Sequence, residues 1–274
     1  FDSLQSLFGN NILWIKFLNL FNLVPIDSYG KIIGICFLSK IIQIILFSVC
    51  FKYLGKGFWL ILLINFIPIN YLTMLGVGRS SLDIALISII AVLNFYSKPL
   101  SFAITSFTIT WKYLLAATGY LGIFFESYII NKRIKDIIII FTFIVVYFSL
   151  VPLCIDFLQD SFFFKLQVGA FGDNALEIYP SNEFMFLIRC FCSILPPILF
   201  KVNLTTIVVS TGHIVYYWIF YRYKKVFSIN YVYLLALFAV ISSPSMYNLI
   251  SSARYTYIVY TYIAVTMYIK YQNK

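Results

Sequence analysis

An all-α bundle of membrane-crossing helices is the fold class this sequence predicts, and three observations predict it. The 274 residues are 62% hydrophobic and 11% charged, where an ordinary globular domain carries about 25% charge. Apolar runs of about 20 residues recur from end to end, the length a helix needs to cross the ~30 Å hydrocarbon core. The short alternating segments of a membrane β-barrel do not occur. The net charge of +10 resides in short loops between the apolar runs. That is the positive-inside arrangement and argues against a nucleic-acid partner.

The elements follow in order. Residues 1–31 alternate apolar groups such as Leu13-Trp14-Ile15 with Asn10, Asn11, Lys16, Asn19 and Asn22. They read as an external amphipathic lead-in lying in the membrane surface. The first crossing is expected at about 32–51, with Lys40 and Gln43 inside it, and the second at 58–75, softened at Pro68. Gly76-Val77-Gly78-Arg79-Ser80-Ser81 leads into a third at 82–96, ended by Ser97-Lys98-Pro99. From 100 to 130 the chain must cross out and back if Lys98 and Lys132 share a side, which leaves about 24 Å per crossing. A short hairpin with Trp111-Lys112 at its tip answers that shortage. A crossing at 137–155 follows, then an external loop and half-embedded helix over 156–197. The last three crossings are placed at 198–220, 229–247 and 255–269. The whole is one membrane domain, 1–274, of about nine crossings. Because it opens on Phe1 rather than Met, it is expected to be truncated at its N-terminus.

Charge sorts the loops into two sets. Lys52, Lys56, Lys98, Lys132, Arg133, Lys135, Arg222, Lys224, Lys225, Lys270 and Lys274 form the cytoplasmic set. Arg79, Lys112, Arg189 and Arg254 fall on the opposite side with nearly all the carboxylates. Cations in or beside hydrocarbon cost roughly 2.5–3.5 kcal/mol each at a helix centre, so each marks a functional position until explained otherwise. Arg79 follows two glycines that permit close backbone approach, and Ser80-Ser81 can cap the next helix, whose N-terminus favours an anion. Asp83, one turn on, can pair with Arg79 or serve as a base. An ion pair at a helix start is the bland reading of that couple. Lys112 reads blandly as a snorkelling lysine, and Arg189 as a partner of Glu183. His213, the single histidine, has no metal partners in sequence and reads as a hydrogen-bonded packing group. The five cysteines lack metal spacing and read as packing thiols, so neither metal nor cofactor is expected. The many tyrosines suit interfacial belts and sugar-stacking surfaces alike.

In the order of these pieces the chain resembles the EpsG-like branch of the Wzy-type polysaccharide polymerases. The resemblance rests on Arg79 opening a span and the unit from there to Lys98. It continues through the basic hairpin tip at Lys112, where family members often carry His, and through Leu187-Ile188-Arg189 leading to Pro196. It ends with Ala253-Arg254-Tyr255 opening a tyrosine-rich span. It implies a GT-C/Wzy-like bundle that joins undecaprenyl-diphosphate-linked oligosaccharide repeats by glycosyl transfer. The setting would be the outer face of a bacterial cytoplasmic membrane, beside a flippase and a chain-length regulator. Arg79, Lys112, Arg189 and Arg254 would stabilise the diphosphate leaving group without a metal. Asp83, Asp173, Glu183, Tyr255 and Trp111 would line the substrate. The competing readings are a GT-C-type glycosyltransferase using a polyprenyl-phosphate sugar, and a transporter of the lipid-linked oligosaccharide. Internal repeats would favour the transporter, and none is evident.

Overall fold

A computed structural model describes residues 28–75, 82–109, 113–128, 194–199, 202–242 and 249–273. Among the described residues the secondary structure is entirely helical. In chain order the helices are α1 (Ser28–Leu54), α2 (Phe58–Phe66), α3 (Pro68–Leu75), α4 (Asp83–Tyr96), α5 (Lys98–Ile109), α6 (Tyr113–Tyr128), α7 (Leu204–Arg222), α8 (Ile229–Ser242) and α9 (Leu249–Gln272). Short 3₁₀ turns lie at Gly55–Gly57, Pro197–Leu199 and Lys224–Val226.

Local chemistry places the breaks. Pro68 forces Ile67 out of helical geometry, to φ −56° and ψ 127°, and this separates α2 from α3 at the expected softening. α7 starts at Leu204 rather than at 198 because Asn203 caps it. The Asn203 Oδ1 accepts from the Thr206 N–H at 2.7 Å, and the Asn203 N–H donates to the Thr206 Oγ1 at 2.9 Å. Two prolines precede this cap, and Pro197 opens a 3₁₀ turn instead of a helix. α9 begins at Leu249, six residues before the expected opening of the last crossing. Nothing in Leu249-Ile250-Ser251-Ser252-Ala253 breaks a helix, so Arg254 stands within α9 rather than at its mouth.

The hairpin expected over 100–130 is present as α5 and α6, joined through residues 110–112, which lie outside the described ones. The two pack antiparallel. The Ser106 and Tyr120 hydroxyls meet at 2.6 Å, Phe102 meets Tyr120 edge to face, and Gly119 leaves room for Thr105. The 1–27 segment, the crossing at 137–155 and nearly all of the 156–197 loop also fall outside the described residues.

Two helices form the centre. Every residue of α4 from Asp83 to Asn94 is buried, as befits a helix that is apolar all round. In α9 everything from Thr256 to Ile269 is buried, although its tyrosines and threonines depress its hydropathy. The pair pack on each other, with α1 and the α5–α6 hairpin against α4, and α7 and α8 against α9. Asn94 Nδ2 donates to the Tyr262 hydroxyl at 2.9 Å and ties the pair near one end. Three glycines seat tyrosines of α9: Gly57 faces Tyr268, Gly122 faces Tyr262, and Gly212 faces Tyr257.

The outside is apolar where the inside is polar. α1 turns Ser39 and Gln43 inward, at 1% and 4% exposure, and Ile33, Phe37, Ile41, Ile44 and Ile45 outward. α7 likewise buries Ser210, His213 and Tyr216 while Ile207, Ile214 and Trp218 face out. One segment among the described residues, Cys36–Phe66, is long and apolar enough to cross a membrane. Asp83–Tyr96 and Leu115–Phe124 are apolar but shorter, so nine crossings are not established. At 14 residues α4 spans only about 21 Å.

Candidate functional site

Of the nine residues singled out in sequence, Arg79, Trp111, Lys112, Asp173, Glu183 and Arg189 lie outside the described residues. Asp83, Arg254 and Tyr255 are within them. Asp83 is the first residue of α4 and is buried, where the helix N-terminus favours its charge. Arg254 is exposed on α9, and among the described residues no carboxylate pairs with it. A guanidinium so placed is open to an anionic ligand and offers it a planar fork of donors. Tyr255 beside it is half-buried and packs on the core.

Beyond Arg254, α9 enters a polar lattice that sequence reasoning did not locate. The Tyr216 hydroxyl meets Thr261 Oγ1 at 2.7 Å and accepts from Asn70 Nδ2 at 3.2 Å. The Tyr257 hydroxyl donates to the Val209 carbonyl and lies 3.2 Å from His213 Nδ1. That nitrogen is also 3.3 Å from the Val209 carbonyl. The Tyr217 and Tyr260 hydroxyls converge on the Ile194 carbonyl, Tyr260 at 2.6 Å. Rings of Tyr217, Tyr257 and Tyr260 surround the imidazole edge-on, with centroids 5.3–6.2 Å away.

The lattice fills its space. Tyr216, Tyr257 and Tyr260 are completely buried and bonded, and His213 is 1% exposed. It leaves no opening for a substrate beside the imidazole, in line with the packing role expected for His213. Its physical task is to join α3, α7, α9 and the turn before α7 through neutral hydroxyls. The tyrosines here are neither an interfacial belt nor a stacking surface. A signal was present in the sequence: Tyr257 and Tyr260 recur at one helical turn, opposite Tyr216-Tyr217 in a second polar-flecked run.

At the far end of α9 the cations gather. Tyr53 stacks on Tyr96 with centroids 4.9 Å apart, Trp59 meets Tyr268 at 6.4 Å, and Tyr223 lies 5.7 Å from Tyr268 and 5.2 Å from Tyr271. These contacts bring the ends of α1, α4, α7 and α9 together, and with them Lys52, Lys56, Lys98, Arg222, Lys224, Lys225 and Lys270. Burial pushes the Tyr223 phenol up, against the pull of the Arg222 guanidinium. Arg254 stands some 16 residues away along α9, roughly 24 Å from Lys270. Among the described residues no group of His, Cys, Asp and Glu has the makings of a metal site. Compared with protein-family models, curated proteins and solved structures, the chain finds no match.

Proposed function

We propose that this chain is a multi-pass membrane glycosyltransferase that polymerises undecaprenyl-diphosphate-linked oligosaccharide repeats on the outer face of a bacterial cytoplasmic membrane. The observation that carries the membrane part is the inverted polarity of α1. Its aliphatic side chains face outward, and only 17% of the most apolar window in Cys36–Phe66 is buried. A core helix of a water-soluble protein would be mostly covered, and an apolar patch of this extent in water is an aggregation hazard. Helices such as α9 need no lipid-soluble surface because their neighbours surround them. About nine crossings remain the count that the loop charges favour.

The enzymatic part rests on the order of Arg79, Lys112, Arg189 and Arg254 in the sequence and on its resemblance to the Wzy-type polymerases. Arg254 supports it in one respect: it is exposed and open to an anion. In the reaction a hydroxyl of the incoming repeat attacks the sugar carbon that bears the diphosphate of the growing chain. The sugar–oxygen bond to the lipid diphosphate breaks, and the hydroxyl proton passes to a base such as Asp83, Asp173 or Glu183. Guanidinium groups stabilise the departing diphosphate.

The test is polymer length in a host that depends on this protein. Arg79→Ala, Arg189→Ala and Arg254→Ala are each expected to remain in the membrane fraction, abolish long polymer and leave single repeats on lipid. Normal polymer from all three variants rejects the reading. Unflipped repeats inside the cell would point to transport, and incomplete repeats to monomer transfer.

A further inference from the structure

The outward face of α7 changes character along its length. Leu204, Ile207, Ile214, Trp218 and Tyr221 are 44–78% exposed, and their spacing of three and four residues sets them on one stripe. From Leu204 to Tyr221 the stripe runs about 26 Å, close to the ~30 Å hydrocarbon core. Thr211 interrupts it, yet its hydroxyl donates back to the Val208 carbonyl at 2.7 Å. On the outward face of α1, Ser48 does the same to the Ile44 carbonyl at 2.8 Å. A hydroxyl turned onto its own helix needs no water. The stripe ends in Trp218 and Tyr221, the residue types of a membrane–water boundary.

Two cations stand at that boundary, each over one of these rings. The Arg222 guanidinium carbon lies 5.7 Å from the centre of the Trp218 ring, and the Lys224 ammonium 4.4 Å from that of Tyr221. The rings hold both charges beside the apolar stripe. Both residues are exposed. Arg222 also reaches the Tyr223 hydroxyl, and among the described residues no carboxylate pairs with either cation. The C-terminus of α7 offsets only about half a charge, so the end of the stripe stays positive.

The geometry points to an anionic phospholipid bound on this face, its headgroup at Arg222 and Lys224 and its chains along Tyr221, Trp218 and Ile214. A free anion would gain the charge but leave the stripe bare. A zwitterionic lipid would cover the stripe without answering the charge. The inference rests on the membrane reading above and adds a lipid preference to it, roughly three- to tenfold for phosphatidylglycerol over phosphatidylcholine.

The full chain is placed in mixed phosphatidylglycerol–phosphatidylcholine vesicles in which one lipid or the other is brominated on its chains. Bromine quenches tryptophan on contact, so Trp218 reports which lipid touches it. The reporter is the chain with Trp14→Phe, Trp59→Phe and Trp111→Phe; should that triple replacement unfold, the parent minus Trp218→Phe gives the same quantity. Brominated phosphatidylglycerol is expected to quench Trp218 beyond its share of the vesicle, by the preference stated. Arg222→Gln combined with Lys224→Gln should bring the ratio of the two quenching strengths close to one, and Lys52→Gln, on α1, should leave it unchanged. Equal quenching by the two lipids in the parent overturns the preference while the membrane reading stands. An equal fall of the ratio in Lys52→Gln also overturns it, as diffuse attraction. Quenching by neither lipid places this stripe outside the membrane and removes the reading on which the inference rests.

Discussion

Gly212→Ala is expected to destabilise the protein by about 1–3 kcal/mol, the range of overpacking in a close-packed interior. A Cβ on Gly212 would overlap the phenol oxygen and ring carbons of Tyr257. Tyr257 has nowhere to go, because its hydroxyl holds the Val209 carbonyl and His213 Nδ1 and its ring is fully buried. The clash therefore has to move α7 away from α9, with loss of contacts along both helices. At this chain length the change amounts to roughly 2–10 °C in the unfolding midpoint. The check is thermal unfolding of the detergent-purified variant beside Gly55→Ala. Gly55 has open space around it but a φ of +52°, so alanine there acts through backbone strain and not through packing. A Gly212→Ala variant as stable as the parent protein would mean that α7 and α9 do not meet at this register.

Tyr216→Ala should cost more, about 3–5 kcal/mol, because it removes a completely buried ring and leaves a cavity between α3, α7 and α9. Tyr216→Phe separates the hydroxyl from the ring. Asn70 keeps its bond to the Ile64 carbonyl at 2.8 Å, and Thr261 keeps its bond to the Tyr257 carbonyl at 2.7 Å. Neither neighbour is stranded, so the phenylalanine variant should lose only about 1 kcal/mol. The ratio of the two losses is the measurement. If phenylalanine proves as damaging as alanine, the hydroxyl lattice and not ring packing holds this junction.

Both expectations concern helix packing, and they show where the sequence was legible. Breaks that depend on one residue could be anticipated: Pro68 divides α2 from α3, and Ser97 ends α4 before the hairpin. Breaks that depend on a pair of side chains could not. The Asn203–Thr206 cap moves the start of α7 inward, and the uninterrupted run from Leu249 carries Arg254 into a helix. The candidate site was read from the sequence only as residue types in order, because the facing sides of the helices that carry Asp83, Arg254 and Tyr255 depend on packing.

Composition and run length alone pointed to helices, since apolar runs without alternation leave the backbone in lipid no other way to satisfy its hydrogen bonds, and among the described residues every element is helical. Only the tertiary structure decided which helices are central. α4 and α9 occupy the middle although α9 is the less apolar of the two, and α9 does so because Asn94, Gly57, Gly122 and Gly212 receive its tyrosines and the Tyr216 hydroxyl of α7 meets its Thr261. Burial of a tyrosine depends on what stands across from it, a partner hydroxyl or the space of a missing side chain. That partner lies scores of residues away in the chain, beyond the reach of any local pattern.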